Sequence, residues 1–330
     1  MSAYNCERTI KESINSILNQ SFQDFEFLIA DDCSTDNTKV LIESFSDTRI
    51  KLYPNSVNCH LVKTWNRLVG LAQAQYVTFQ DGDDISYPDR LKILYNKIII
   101  DQECAIVGAN HYRPFNKWLQ GNQSNFKLDY KDILNDINQF KKINYYGTRS
   151  LFNKNILLKV GGFRNYFDRV GWEDYDLFLR IAEQYKVCNV SDVLYEYRYH
   201  STSTSKIKKS NISYIKLFIE DIGFFLHDQR MRNNGKDGLM EGGNEKEFKL
   251  YLEQLNHKYL KDKSLPFQKI AKNQISNKDF SNALKNTFKA ISFNFYEFYN
   301  WAIFFKLIVG FTKSFVKYVF IRLNIYKYEN

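Results

Sequence analysis

Proline and glycine are scarce in this 330-residue chain, four and fourteen respectively, and neither recurs with a period. That scarcity excludes a collagenous or linker-dominated protein and describes a chain with few forced breaks. Cysteine is equally sparse. Cys6, Cys33, Cys59, Cys104 and Cys188 stand singly, with no CxxC pair and no histidine at metal-ligand spacing. This argues against a disulfide framework or a zinc site and for a reducing compartment. The N-terminus, MSAYNCERTI, has no basic segment followed by an apolar run, so a signal peptide is not expected. No RNA- or DNA-binding motif stands out, and nucleic acid is not an expected partner.

What is present suffices for an ordinary core: 44% apolar residues, among them 23 Tyr and 27 Phe. The net charge of +9 is unevenly spread. Residues 1–204 hold 24 Lys/Arg against 25 Asp/Glu (net −1), whereas residues 205–330 hold 22 against 12 (net +10). The basic excess belongs to the C-terminal part and points to an anionic surface, with lipid favoured over nucleic acid.

Along the first half, apolar periodicity alternates between helix and strand. Ile10, Ile14, Ile17 and Leu18 have helical spacing, and Phe25 to Ala30 is a short apolar run that ends in Asp31-Asp32. Thr35-Asp36-Asn37 supplies capping side chains for a second helix. Residues 49–53 read as a strand, 60–74 as a helix, and 75–80 as a buried strand leading into Asp81-Gly82-Asp83-Asp84. A helix over 89–101 and a strand over 104–109 follow. Residues 111–144 are polar and Asn-rich, with only weak periodicity. A helix begins near Glu173, with Tyr175, Phe178, Ile181, Ala182 and Tyr185 on one face, and residues 193–200 alternate as a strand. Such alternation implies a mostly parallel α/β sheet, whose ligands bind beyond the carboxyl ends of the strands.

Three acidic clusters therefore matter: Asp31-Asp32, Asp81-Gly82-Asp83-Asp84 and Glu173-Asp174-Tyr175-Asp176. Each also has a purely structural explanation. Asp and Gly fill turns, and acids in a first helical turn complement the helix dipole. Carboxylates crowded at the end of a buried strand repel one another unless a cation is near, and hard oxygen ligands suit Mg²⁺ or Mn²⁺ on a diphosphate. A carboxylate beside a reacting hydroxyl can take its proton. His200, with Arg198 on the same strand face, could reach a phosphate or the metal.

Read together, the segments SAYNCERTIKESINSILNQSFQDFEFLIADDCSTDNT, YVTFQDGDDISYPDRL, LFNKNILLKVGGFR, WEDYDLFLRIAE and YRYHSTSTS resemble glycosyltransferase family 2, inverting enzymes of the GT-A fold. The resemblance spans roughly residues 2–205. It implies that Ser2, Ala3 and Tyr4 line the nucleotide pocket, that Asp32 accepts a hydrogen bond from the base, usually uracil, and that Asp81 lies near the ribose and phosphates. Asp83 would hold a divalent metal, Mn²⁺ or Mg²⁺, with His200 at the metal or diphosphate and Arg198 near the phosphates. Asp174 matches the catalytic base, and Glu173 the neighbour that shapes the acceptor side.

Two departures from the family pattern are visible. Family members carry an apolar strand ahead of the S-A-Y-N segment, on which this chain opens, so that strand is expected to be missing. Glycines common in the family are here Cys33, Cys59 and His60, so those loops are expected to differ in shape.

The expected organisation is a catalytic domain over 1–204, a helical extension over 205–295 and a basic amphipathic tail over 296–330. In the tail, Lys306, Lys313 and Lys317 interrupt any uncharged span, and with Asn324 and Lys327 they fall near one helical stripe. An in-plane helix on anionic headgroups fits that pattern better than a spanning one. The expectation is a peripheral protein of the cytoplasmic membrane face. It would move sugar from a nucleotide-diphosphate donor, such as a UDP-sugar, to a glycan or lipid-linked acceptor of a cell-surface polysaccharide. The competing reading is a non-catalytic sugar-nucleotide-binding or scaffolding subunit of a glycan assembly complex.

Overall fold

The computed structural model describes residues 1–115, 119–123, 129–139, 149–198, 213–276, 279–304 and 307. The chain divides into two compact units, Met1–His200 and Ser201–Asn330.

In the first unit, β1 (Ser2–Ala3), α1 (Ile10–Leu18), β2 (Phe27–Asp31), α2 (Thr38–Glu43) and β3 (Ile50–Leu52) form a βαβαβ arrangement with strand order β1-β2-β3, all parallel. Every residue of β2 is buried, as expected of a strand covered on both faces and flanked on both edges. Helix α1 presents Ile10, Ile14 and Ile17 to one core cluster with Met1, Ala3, Phe27, Ile29 and Ile42. Burying each isoleucine is worth about 1.5–3 kcal/mol. Where a longer first strand was expected to be absent, β1 has two residues. It pairs with β2 at Ser2↔Ala30 and Ala3↔Asp31, and Ser2 also bridges Asp81 in parallel.

The remaining elements are α3 (His60–Leu71), β4 (Tyr76–Thr78), β5 (Ile85–Ser86), α4 (Arg90–Ile100), β6 (Cys104–Phe115), β7 (Leu119–Gln123), α5 (Tyr130–Asn138), β8 (Leu151–Asn153), α6 (Lys154–Lys159), α7 (Glu173–Ala182) and β9 (Lys186–Glu196). A six-stranded sheet runs β4-β8-β6-β9-β5, with β7 on β6. Parallel pairing is the rule in β1-β2-β3, whereas here only β6 and β9 are parallel. The weakly periodic 111–144 stretch contributes the end of β6, β7 and α5. Helix α7 is buried from Tyr175 through Ala182 rather than along one face. β9 starts at Lys186 and ends at Glu196, earlier than the alternation over 193–200 suggested.

One expectation needs correction. Cys104 and Cys188, read from the sequence as isolated, are joined as a disulfide, with Cα atoms 5.9 Å apart. They lie 84 residues apart in the chain, and the parallel pairing of β6 with β9 brings them side by side.

The second unit is helical: α8 (Tyr214–Leu217), α9 (Ile219–Arg232), α10 (Glu245–Lys261), α11 (Leu265–Ser276) and α12 (Phe280–Phe293). Phe225 of α9 stacks on Tyr251 of α10 at 3.9 Å, and a buried Arg230–Asp237 pair fixes the loop after α9. Ala271 and Ala283 join α11 to α12 in a core with Ile303 and Leu307. No helix among the described residues is long and apolar enough to cross a membrane. The proposed lysine stripe from Lys306 to Lys327 lies outside the described residues.

Candidate active site

Parallel pairing sets the site. Because β1 lies between β2 and Asp81, the carboxyl ends of three chain segments meet at one edge, bringing Asp31-Asp32 beside Asp81-Gly82-Asp83-Asp84. The second of these loops is held by α1, by the residue that caps it and by Gln80 just ahead of the loop. Ser13 Oγ donates to the Asp81 carbonyl at 2.7 Å, Thr9 Oγ1 to the Gly82 carbonyl at 2.9 Å, and Gln80 Nε2 to the Asp84 carbonyl at 2.9 Å. A Cβ at Gly82 would stand 2.8 Å from Cys6 Sγ, so a side chain there would require Cys6, in the segment leading into α1, to shift.

The S-A-Y-N segment and the loop after β2 hold each other. Asn5 N–H donates to Ser34 Oγ at 3.1 Å, Thr35 N–H to Asn5 Oδ1 at 2.8 Å, and Cys6 N–H to Thr38 Oγ1 at 2.8 Å. Ala3 is buried, Ser2 half-buried and Tyr4 exposed. Asp31, the last residue of β2, and Asp32 after it are both buried but differ in use. Asp32 Oδ1 accepts from Asn55 Nδ2, Cys59 N–H and Thr64 Oγ1 at 2.7, 2.8 and 3.2 Å, holding the turn before α3. Asp31 Oδ1 is buried and accepts no hydrogen bond among the described residues.

Cys33 and His60 adopt φ of +63° and +64°. They therefore take the left-handed conformation that glycine adopts freely, and the substituted loops carry strain as well as changed side chains. Cys59 does not, at φ −87°.

A residue that the sequence did not mark supplies the counter-charge beside the acidic loop. Arg149 Nη2 lies 3.6 Å from Asp84 Oδ2 and 3.9 Å from Asp81 Oδ2, and its guanidinium stacks over the Tyr195 and Tyr197 rings at 5.0 and 4.8 Å. Buried Arg90 covers the Tyr195 ring as well, at 5.0 Å. Even so, the carboxylates are not fully compensated. Burial, Asp83 and Asp174 push Asp81 up to about 6 against the pull of Arg149. Burial, then Asp81 and Asp83, push Asp84 up to about 8. Arg149 follows the weakly periodic 111–144 stretch, and no pattern announced it.

The third cluster converges on the same place. Gly171 (φ +91°) and Trp172 (φ +76°) both adopt left-handed backbone just before α7. Such strain in a bulky residue has to be imposed by its surroundings and tends to occur at functional sites. Desolvation, then the charge of Asp174 and more weakly that of Asp81, push Glu173 up to about 8. Carboxylates far apart in sequence thus influence one another through space. Asp174 Oδ1 accepts from the Tyr175 N–H at 2.8 Å. Asp176 is different: it pairs with buried Arg180 at 2.9 Å and with Arg164 at 3.4 Å. Arg180 in turn donates to the Gly162 carbonyl at 2.6 Å, anchoring α7 to the Gly161-Gly162-Phe163 turn.

Arg198 is close to the acidic loop and already engaged. Its N–H donates to Asp84 Oδ1 at 2.9 Å, and its guanidinium bonds the Asp83 carbonyl and Glu12. His200 lies outside the described residues.

The acidic loop suits a hard divalent cation. Asp84 Oδ2 is buried without a hydrogen bond, and two carboxylates at this edge hold protons more tightly than usual, as expected where a cation would relieve their repulsion. The side chains do not close a cage by themselves. Among the described residues, only Asp101, Cys104 and Cys188 bring three potential ligand atoms within 4.8 Å of one another. Diphosphate oxygens and water would complete the shell, which is usual for Mg²⁺ and Mn²⁺.

The sequence profile of glycosyl transferase family 2 matches residues 1–161. A Haemophilus influenzae protein described as an uncharacterized glycosyltransferase is 30% identical over 220 residues, covering 64% of this chain and 80% of that protein. The Escherichia coli UDP-Glc:alpha-D-GlcNAc-diphosphoundecaprenol beta-1,3-glucosyltransferase WfgD is 38% identical over 93 residues, 28% of this chain and 37% of the enzyme. Among solved structures, S. aureus TarS 1–349 in complex with UDP-GlcNAc superposes with a TM-score of 0.55 at 16% identity, covering 87% of this chain and 81% of that one. At that identity the likeness concerns the fold.

Proposed function

The chain belongs to glycosyltransferase family 2 and has the GT-A fold, and from this premise we propose that it is an inverting transferase. It moves a sugar from a nucleotide-diphosphate donor, most simply a UDP-sugar, to an acceptor hydroxyl during assembly of a cell-surface polysaccharide. A lipid-linked acceptor is the favoured class, in keeping with the name of the WfgD relative. The work is then done at the cytoplasmic face of the membrane.

In this reading Asp174 takes the proton of the acceptor hydroxyl as its oxygen attacks the anomeric carbon from the face opposite the diphosphate, which gives inversion. Glu173, raised to about 8, keeps its proton at neutral pH and acts as a hydrogen-bond donor toward the acceptor side. Asp83 would hold Mn²⁺ or Mg²⁺, with His200 contributing and Asp81 lying toward the ribose and phosphates, and a metal there would supply counter-charge for the departing diphosphate. Arg149 keeps Asp81 and Asp84 in place, and the Asp31-Asp32 edge receives the nucleoside.

The observation that carries the reading is the meeting of Asp31-Asp32 and Asp81-Gly82-Asp83-Asp84 beyond the carboxyl ends of parallel strands, with the start of α7 near enough for the charges of Asp174 and Asp81 to be felt across the site. It brings an acid-base pair to the anionic end of the strands. The test is a panel of nucleotide-sugar donors with Mn²⁺, scoring release of nucleoside diphosphate. Turnover of one donor is expected, with Asp174→Asn lowering it by about 10²–10⁴ and leaving UDP binding nearly unchanged. Full transfer by Asp174→Asn would remove that residue from the mechanism. Nucleotide binding without turnover of any donor would favour the non-catalytic subunit.

A further inference from the structure

The second unit exposes an apolar feature that the transferase chemistry does not use. After α12 ends at Phe293, residues 294–297 turn into a further helical stretch over 298–304, and this corner is held from inside. Asn300, fully buried, donates through Nδ2 to the carbonyls of Ala290 and Asn294 at 3.2 and 2.7 Å. Asn300 N–H donates to the Glu297 carbonyl at 3.0 Å, and Trp301 Nε1 to the Phe295 carbonyl at 2.9 Å. With the backbone so fixed, the aromatic side chains face outward: Phe293 is 54% exposed, Phe295 59%, Phe298 81% and Tyr296 95%. Phe295 stands edge-on to Trp301 at 5.4 Å, which makes the projection a rigid ledge.

Apolar side chains clustered on a preformed turn mark a contact surface, because a protein surface rarely displays such a patch without use. Charge identifies the partner. Over residues 263–304 there are six lysines, Lys263, Lys269, Lys272, Lys278, Lys285 and Lys289, against two acids, Asp279 and Glu297. Lys272 Nζ sits 4.4 Å from the centre of the Tyr299 ring, so cation and aromatic are neighbours in the fold. Phe, Tyr and Trp beside lysines match the boundary between acyl chains and anionic headgroups, where ring bodies enter the apolar layer and ammonium groups meet phosphates. A second protein copy would carry the same excess of lysines and so meet like charge.

We infer that the 293–298 ledge is a membrane-docking surface that inserts its aromatics at the headgroup boundary of an anionic bilayer. This deepens the transferase reading, resting on it for the lipid-linked acceptor that would make such a location useful. Docking is in-plane and shallow, since no described helix is long and apolar enough to cross the bilayer.

The experiment is co-sedimentation of the full chain with vesicles of phosphatidylcholine alone or mixed with phosphatidylglycerol, alongside sedimentation velocity without lipid. The parent should bind the mixed vesicles and bind the neutral ones weakly. Phe295→Ser/Tyr296→Ser/Phe298→Ser should lose roughly a hundredfold in affinity, since three apolar rings no longer enter the bilayer. Lys272→Gln/Lys285→Gln/Lys289→Gln should lose affinity for the mixed vesicles only. The substituted side chains are largely exposed, and an unchanged circular dichroism spectrum with retained UDP release would establish that the fold and site are intact. Mixed-vesicle binding by the triple Ser variant equal to that of the parent overturns the inference. A lipid-independent dimer that the same variant dissociates, with no vesicle binding by the parent, also overturns it in favour of self-association. Loss of donor turnover with vesicle binding retained would count against the transferase reading alone.

Discussion

Two groups of buried or half-buried carboxylates lie within the first unit, and their surroundings differ in kind. Asp32 and Asp176 are engaged by the fold: three donors converge on one oxygen of Asp32, and two arginines pair with Asp176. Asp81, Asp84 and Glu173 are desolvated without enough compensation, so all three hold their protons more tightly than ordinary carboxylates. The difference separates architecture from chemistry. Asp176, paired to two arginines, has little left to offer a substrate and Asp32 only the oxygen that its three donors do not reach, whereas a carboxylate held under repulsion gains most when a cation or an acceptor arrives.

The sharpest way to break this contrast is to remove a satisfied carboxylate. Asp176→Ala leaves Arg180 and Arg164 without their buried partner and should cost about 3–5 kcal/mol, lowering the melting temperature by on the order of 10 °C. Asp174→Asn should leave the melting temperature nearly unchanged while turnover collapses. Scanning calorimetry on both variants decides the matter, and equal loss of stability would erase the distinction drawn between them.

A smaller effect should be visible in pH dependence. Asp84 has its folded-state value raised from 3.8 to about 8. Its contribution to stability is therefore fully present below about pH 4 and is lost as pH rises toward and through 8. Without metal, the parent should become less stable across that window. Asp84→Asn, which keeps the Oδ1 acceptor for Arg198, should flatten the slope. Parallel curves for parent and variant, from thermal melts at several pH values, would show that Asp84 is not under the strain described.

The smallest expected effect concerns the two loops beside the site. Cys33→Gly and His60→Gly relieve left-handed strain of about 1–2 kcal/mol, offset by the larger unfolded-state freedom of glycine. A net gain of up to about 1 kcal/mol per change should raise the melting temperature by a few degrees. A decrease on both substitutions would mean that the side chains contribute contacts worth more than the strain.

The sequence by itself determined the alternation of α1, β2, α2, β3, α3 and β4, because apolar spacing differs between a helix and a buried strand over as few as five residues. It also located the three acidic clusters, since each adjoins the boundary of a regular element. Gly82 could be noticed there, but its reason lies in Cys6, whose sulfur occupies the space a side chain would need. Tertiary structure alone decided the rest. Pairing of β6 with β9 joined Cys104 to Cys188. The burial of α7 on every side from Tyr175 to Ala182 turned Asp176 into an anchor while Glu173 and Asp174 came within electrostatic reach of Asp81. Arg149, which shares its charge between Asp81 and Asp84 and stacks on Tyr195 and Tyr197, follows a stretch with no usable periodicity. The physical reason is common to all of these. Periodicity records which face of a segment avoids water, but hydrogen bonds, ion pairs and desolvation depend on which segments become neighbours, and that is fixed only when the sheets and helices close on one another.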